Sequence, residues 1–490
     1  MNTEELASFC RENGFVYQTS DIYGPFAGFF DYGPVGVELM NNVKQLVWKE
    51  FVHKREEIIG IDGAIITNPK VWEASGHATK FTDPITECDK CKKAFRADHI
   101  VEEALKIPTD GVSNEQLTEL INKNKINCPE CKGKLKEVTN GSLMLVTKVG
   151  PLGGVTSYLR PETAQSIFAD YKSVTKSSRV KPPFGIAQIG KAFRNEISPR
   201  NFLFRMREFS QFEIEYFIRE QEKDDCPLLK KNTKIRVLSA KTQEAKKDTI
   251  EELTINECLK KGIISNEWHA YWIGEFYKFL IKIGIDSKKL RVREQLKDER
   301  SFYSAGTNDI EYEYPNGWKE LMGIANRQKY DLGQHQSYSG ENLEYFDEET
   351  KSKELLYVIE PSIGFDRLFL TIMFENLTKE GERMVLKIKP KIAPYKVGIF
   401  PLVKKEGLPE KAREIFNELS DELHCYYDAS GSIGRRYRRQ DEIGTPYCLT
   451  IDGDTIKDST VTLRERDSMK QTKVNVKDIK STINSLIKSE

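Results

Sequence analysis

The sequence predicts an α+β protein: an antiparallel sheet flanked by helices, interrupted by a cysteine-bearing insertion and followed by a separate C-terminal α/β domain. Three observations carry this. Phe193-Arg194-Asn195-Glu196 and Arg205-Met206-Arg207-Glu208-Phe209 flank the turn-forming Ser198-Pro199-Arg200-Asn201, as two antiparallel strands joined by a charged loop would. Two Cys-x-x-Cys pairs bracket a stretch with its own helical pattern. Over the last hundred residues, short apolar runs alternate with helix-like segments, the pattern of βα units.

Taken in chain order, residues 1 to about 85 contain Tyr32-Gly33-Pro34-Val35-Gly36 followed by Glu38-Leu39-Met40-Asn41-Asn42, and end near Trp72-Glu73-Ala74-Ser75-Gly76-His77. The insertion, about 86–150, holds Cys88, Cys91, Cys128 and Cys131. Each pair turns two thiolates toward one point, so the two supply the four ligands of a closed, tetrahedral, structural zinc site. Neighbouring lysines favour the thiolate form. For one pair a redox dithiol competes; for two, zinc is favoured. Cys10, Cys226, Cys258, Cys425 and Cys448 stand alone and read as small core or surface residues.

Residues 151–220 carry the paired strands. From Phe204 to Ile218 the chain alternates. Phe204, Met206, Phe212, Ile214, Tyr216 and Ile218 form an apolar face, while Arg205, Arg207, Phe209, Gln211, Glu213 and Glu215 lay out cation, ring and carboxylate in order. At about 3.4 Å per residue, Phe209 and Glu213 lie roughly 14 Å apart, about the length of an adenosine monophosphate joined to a small acid. Alternation alone fits a solvated outer face. With Arg194 and Glu196 before it, the strand pair instead offers what a nucleoside triphosphate needs: planar cations for phosphate, a ring for the base and an acceptor near its edge.

Residues 221–300 start Lys-rich and read as a helical insertion, with Trp268, Tyr271, Trp272, Phe276, Phe279, Leu280 and Ile283 on one helical face. Such a stripe reads as core before it reads as a base-stacking platform. Residues 301–392 return to the main body, and Lys389 to Pro394 reads as a linker. In residues 393–490, Val397-Gly398-Ile399-Phe400 and Tyr447-Cys448-Leu449-Thr450-Ile451 read as strands and Glu410 to Leu423 as a helix. Arg435-Arg436-Tyr437-Arg438-Arg439 fits a phosphate contact as well as a solvated helix start neutralised by Asp441 and Glu442. Thr460 to Asp467 reads as a strand end with charges suited to unstacked bases.

Composition sets bounds. The 490 residues carry 75 Lys+Arg and 75 Asp+Glu, so any nucleic-acid contact must come from local patches. There is no apolar run near 18 residues, which excludes a membrane span of that kind. Met1 to Phe15 is polar and acidic, unlike a signal or transit peptide, and nine cysteines without a secretory signal point to a reducing cytoplasm.

The strand–loop–strand pattern resembles motif 2 of class II aminoacyl-tRNA synthetases, and the run from Phe193 to Tyr216 is similar to that of the dimeric glycyl-tRNA synthetase family. The segment from Tyr32 to Asn42 resembles motif 1, and Glu360-Pro361-Ser362-Ile363-Gly364-Phe365-Asp366-Arg367 resembles motif 3. The resemblance extends over nearly the whole chain. It implies a homodimer built on motif 1, a tRNA partner and an anticodon-binding C-terminal domain. It also implies acceptor-end contact somewhere in residues 221–300.

The activity implied is glycine activation by ATP, followed by transfer to the 3′ end of tRNA(Gly). Because the attacking carboxylate is already ionised, positioning and charge neutralisation carry the catalysis. By this resemblance Arg194 bridges substrate carboxylate and α-phosphate, and Arg205 and Arg367 hold the outer phosphates. Phe209 stacks on adenine with Glu196 near its amine. Asn195, Phe204, Leu321 and Gly364 complete the ATP site, and Glu320 is a candidate contact for Mg²⁺. Glu162, Glu213 and Glu360 surround the ammonium, Ser362 lies beside the α-carbon, and Arg96, Phe209 and Gly364 are further substrate-site positions. Crowding excludes a methyl group, so an enzyme for the smallest amino acid has little need of editing. The rivals are a sister synthetase for another small amino acid, a non-catalytic synthetase-like protein and a zinc-ribbon nucleic-acid binder.

Overall fold

The computed structural model describes residues 1–489 except 108 and 110. Its main body is built on β1 (Ile58–Ile61), β2 (Phe184–Phe193), β3 (Glu208–Ile218), β4 (Lys234–Leu238), β5 (Glu251–Thr254), β6 (Leu290–Glu294), β7 (Gly306–Tyr314), β8 (Gly317–Gln328) and β9 (Tyr357–Gly364). These form one nine-stranded sheet in the order β5-β4-β6-β7-β8-β9-β3-β2-β1. Within it the β1–β2 and β4–β6 pairs are parallel, and the remaining neighbours are antiparallel.

Helices cover both faces. They are α1 (Pro34–Trp48), α2 (Ala164–Ser178), α3 (Glu267–Lys282) and α4 (Phe365–Asn376). This explains how β3 departs from a half-solvated strand: every residue from Ser210 to Ile218 is buried. Phe212, Ile214, Tyr216 and Ile218 share a core with Phe51, Trp272 and Phe276. Phe217, on the other side, packs against Phe168 and Tyr171 of α2. Glu213 and Glu215 belong to that second side and are buried with it.

The strand also begins later than its alternation suggests. Asn201 and Phe202 adopt left-handed φ values of 60° and 55°, and Phe202–Phe204 closes a 3₁₀ turn. The ladder therefore starts at Glu208, opposite Phe193, and Arg205 stands in an isolated bridge with Arg200. Residues 221–300 differ more. They contain α3, whose aromatic stripe is buried as core, but they also add β4, β5 and β6 to the edge of the main sheet. Charged alternation such as Lys234-Ile235-Arg236-Val237 hides these short strands in a Lys-rich stretch.

The C-terminal unit is a five-stranded sheet of β10 (Val397–Pro401), β11 (Cys425–Tyr427), β12 (Tyr447–Ile451), β13 (Thr460–Glu465) and β14 (Gln471–Asn475), ordered β11-β10-β12-β13-β14. It packs with α5 (Leu408–Ser420), α6 (Ile433–Ile443) and α7 (Ile479–Ser489). The connecting segment is firmly held. Asn42 of α1 donates to the Ala393 carbonyl at 2.8 Å, and the Lys396 ammonium donates to the carbonyls of Pro390, Lys391 and Ala393 at 2.9–3.0 Å.

The basic cluster of α6 divides. Arg436 is buried and donates to the carbonyls of Pro401 and Asp428, whereas Arg435 and Arg438 are exposed. Asp441 turns inward to a bidentate pair with Arg464 at 2.8 and 3.0 Å. Arg464 and Arg466 are both buried and held by Asp441 and backbone carbonyls, which ties these two charges to the fold, whereas Asp467 is exposed. Among the described residues, no helix is long and apolar enough to cross a membrane.

Candidate active site and metal centre

A cavity of about 420 Å³ opens where β2, β3, β8 and β9 meet the start of α4. That size suits a small-molecule ligand. Arg194, one residue past β2, has its backbone N–H bonded to the Arg207 carbonyl at 2.9 Å, which continues the ladder. Its guanidinium donates to the Pro161 carbonyl at 3.1 Å and lies 5.3 Å over the Phe209 ring and 5.4 Å over Phe81. Arg205 donates to Glu196 at 2.6 Å and approaches Asp83 at 3.7 Å. Arg367 pairs with Glu320 at 3.0 Å and lies 4.7 Å over Phe204. Leu321 and Gly364 also line the space, whereas Asn195 is placed by its backbone N–H on the Leu143 carbonyl. Arg96 stands behind this row: it donates to Asp83 at 2.8 Å, and so shares with Arg205 one carboxylate.

The acidic end is organised by strand register. Glu213 on β3 faces Ser362 on β9 and Gln188 on β2. Its carboxylate accepts from the Thr163 backbone N–H at 2.7 Å, from the Thr163 hydroxyl and from Ser362 Oγ at 2.8 Å. Thr163 is in place because Arg160, two residues before Pro161's neighbour Glu162, donates across β2 to the carbonyls of Lys191 and Gly63 at 2.6 and 2.7 Å. Gly190 makes that crossing possible, since a Cβ there would lie 2.1 Å from the Arg160 guanidinium.

Four further groups surround the carboxylates, and no local motif marks them. Arg327 of β8 is almost fully buried and forms a fork with Asp331 at 2.7 and 2.8 Å. It also pairs with Glu360 at 2.8 Å and Glu162 at 3.6 Å, with its guanidinium 3.7 Å over Tyr303. His77 Nε2 lies 3.3 Å from Glu162. Burial works against charge on Glu162, but His77 and Arg327 more than offset it and hold that carboxyl well below the usual range. Burial pushes Glu360 up to about 8, against the pull of Arg327. The only sequence signal for this cluster is the four-residue spacing of Arg327 and Asp331.

Glu215 is the exception. The register that pairs Glu213 with Ser362 and Tyr216 with Ile359 sets Glu215 opposite Glu360. Both of its carboxylate oxygens are buried with no hydrogen-bond partner. Burial first, then the charge of Glu360, raises its pKa well above the carboxylate range. A carboxyl whose folded pKa exceeds its unfolded value costs no stability below the unfolded pKa and a growing amount as pH rises above it. Glu215→Gln should therefore stabilise the fold, by up to about 1.4 kcal/mol for each pH unit above the ordinary glutamate range. Denaturant unfolding of both proteins between pH 4 and 8 checks this; a gain that does not grow with pH contradicts it.

The four insertion cysteines converge. Their sulfurs all lie within 4.8 Å of one another, with Cys88 and Cys131 Sγ at 3.4 Å and Cys91 and Cys128 Sγ at 3.8 Å. Tetrahedral Zn–S bonds of about 2.3 Å place sulfurs roughly 3.8 Å apart, so the set fits that ion. The pairs are conformational twins. Lys92 and Lys132 each take φ 59° and donate their N–H to the carbonyls of Cys88 and Cys128 at 3.0 Å.

Comparison with known proteins agrees with this layout. The family described as "Anticodon binding domain" matches residues 396–486. Glycine--tRNA ligase of Clostridium beijerinckii is 44% identical over 495 residues, covering 98% of this chain and 97% of the relative. The protein of that name from Clostridium kluyveri is 45% identical over 498 residues, covering 98% and 97%. That of Treponema denticola is 41% identical over 501 residues, covering 100% and 98%. Identity at this level over essentially the full length leaves one assignment: the chain belongs to the glycine--tRNA ligase family.

Proposed function

We infer that this protein is a glycine–tRNA ligase that activates glycine with ATP, releasing pyrophosphate, and then transfers the glycyl group to the 3′ end of tRNA(Gly). The observation that carries the site assignment is the meeting of Arg194, Arg205 and Arg367 with Glu162, Glu213 and Glu360 in one cavity. Cations at one end suit phosphates and carboxylates at the other suit an ammonium. On this reading Arg194 bridges the glycine carboxylate and the α-phosphate, and Arg205 and Arg367 hold the outer phosphates. Adenine stacks on Phe209, the ring that Arg194 now overlies, with Glu196 near its amine. Asn195, Phe204, Leu321 and Gly364 frame the nucleotide. Glu320, paired with Arg367, is the group we assign to Mg²⁺, which would supply charge neutralisation on the phosphates when bound.

Glycine sits with its ammonium among Glu162, Glu213 and Glu360 and its α-carbon against Ser362; Arg96 acts through Asp83. The test is ATP–pyrophosphate exchange across all twenty amino acids, followed by charging of total tRNA. Glycine alone should support both. A sister specificity would shift the amino acid, and absence of exchange with any amino acid would contradict the reading.

The division proposed for the chain is a catalytic core (1–85, 151–220, 301–392), a zinc-bearing insertion (86–150), an acceptor-side insertion (221–300) and the anticodon-binding unit (393–490). The convergent thiolates support structural zinc. Chelation should then release about one zinc per chain and unfold the insertion, while exchange falls less than thermal stability. Metal analysis and circular dichroism after dialysis check this; a zinc-free protein with unchanged stability contradicts it. A homodimer is supported by Ile22, Tyr23 and Phe26, which are 87%, 87% and 75% exposed beside the motif 1 segment. A reducing cytoplasm is supported by the cysteine usage, four converging as metal ligands and five standing singly.

A further inference from the structure

We propose that Asp366 is a positioning residue that sets the orientation of Arg367 by tying two separate segments to the first turn of α4. The inference rests on the reading of Arg367 as an ATP-phosphate ligand. Asp366 is 2% exposed, and both its oxygens are used. Tyr32, from the strand Phe30–Tyr32, donates its hydroxyl to Oδ1 at 2.6 Å, and the backbone N–H of Ser210 on β3 donates to Oδ2 at 2.7 Å. Hydrogen bonds to a carboxylate are about twice as strong as neutral ones, and these two come from segments far apart in sequence.

The geometry around the carboxylate makes it the device that holds this helix end. Gly364, the N-cap of α4, has no side chain with which to cap the first N–H groups, and Asp366 is the acidic residue of the first turn. There it also meets the favourable end of the helix dipole. The Tyr32 ring packs edge-on against Phe369 one turn later, at 5.3 Å, which fixes the hydroxyl. Lys44 of α1 reaches Ser210 Oγ at 3.4 Å and lies over the Phe365 ring at 5.6 Å. One carboxylate thus joins the segments that resemble motifs 1, 2 and 3.

Arg367 is the next residue, and its guanidinium must be aimed with care. It lies over Phe204, donates to the Phe204 and Glu320 carbonyls at 3.3 and 3.2 Å, and pairs with the Glu320 side chain. A small rotation of the first turn of α4 would carry that group off its target, and misplacement by about 1 Å can cost on the order of a hundredfold in rate. Asp366 touches no phosphate itself in this reading. Its effect runs through Arg367, and so should be felt by ATP and not by glycine.

The test is exchange kinetics on the full-length protein with Tyr32→Phe, Asp366→Asn and the double variant. Each single variant should raise KM for ATP about tenfold, the scale of one hydrogen bond to a charged group. KM for glycine should stay as in the wild type, the thermal midpoint should fall by no more than the loss of a single buried hydrogen bond entails, and the double variant should be no worse than Asp366→Asn alone. An unchanged KM for ATP in Tyr32→Phe would overturn the proposal. So would a parallel rise in both KM values with a larger fall in thermal midpoint, which marks a purely structural anchor. If Asp366→Asn does not fold, Tyr32→Phe decides, since it removes a single hydroxyl. A wild-type protein without glycine-dependent exchange would instead show that the site reading has failed.

Discussion

Glu213→Ala should abolish glycine-dependent pyrophosphate exchange, lowering kcat/KM for glycine by about three orders of magnitude, while the chain remains folded. Glu213 holds both oxygens in place through Thr163 and Ser362, one segment on each side of β3. That leaves a fixed negative charge at the end of the cavity away from the arginines. An ammonium that loses this partner in a dry site forfeits roughly 3–5 kcal/mol. The stability cost is smaller, about 1–3 kcal/mol, because only the Thr163 N–H and two hydroxyls lose an acceptor. Glu213→Gln separates the roles: it keeps the size and one acceptor oxygen, so it should restore stability without restoring exchange. Exchange at unchanged glycine concentration in either variant contradicts the assignment.

The second large effect is on stability. Arg327→Met should destabilise the catalytic body by about 3–5 kcal/mol, the cost of stranding buried charge. Asp331, Glu360 and Glu162 all lean on this one guanidinium, and each is buried. Arg327→Lys should recover little, because an ammonium cannot make the two-pronged contact with Asp331 or lie flat on Tyr303. Thermal denaturation followed by tryptophan fluorescence reads this out, since Trp272 lies buried in the same body. A melting temperature unchanged in Arg327→Met would mean that the acids are satisfied some other way.

These two residues also mark what could and could not be read from the chain. Glu213 is legible because β3 is a regular strand: its two-residue period puts ring and carboxylate on one side, and the neighbouring motifs add the arginines. The cysteine pairs are legible for a similar reason, since a knuckle is a local structure and four convergent sulfurs need only two of them. Arg327 and His77 are not legible. They arrive from β8 and from a short helix near residue 77, and only tertiary packing brings them to Glu162. Glu215 is misleading in isolation, because alternation places it on the polar face and only the covering helix α2 shows that this face is dry.

The fold divides along the same line. Long periodic elements such as α3 and the β2–β3 hairpin are written in local pattern. The short strands β4, β5 and β6 at one end of the sheet are not, because their charged alternation resembles a surface loop. In the C-terminal unit, Arg464 and Arg466 look like free cations in sequence, yet Asp441 and a set of backbone carbonyls bury them. Counter-charges that come from distant segments are what sequence reasoning lacks at every one of these places.

The central claim is that the three arginines hold the phosphates of ATP while Glu213 and its neighbours hold the amino group of glycine. A crystal structure with a non-hydrolysable glycyl-adenylate analogue tests it most directly. The account predicts the adenine on Phe209, the phosphate oxygens on Arg194 and the ammonium within hydrogen-bonding distance of Glu213. An analogue bound with its ammonium away from these carboxylates, or with its base off the Phe209 ring, would contradict it.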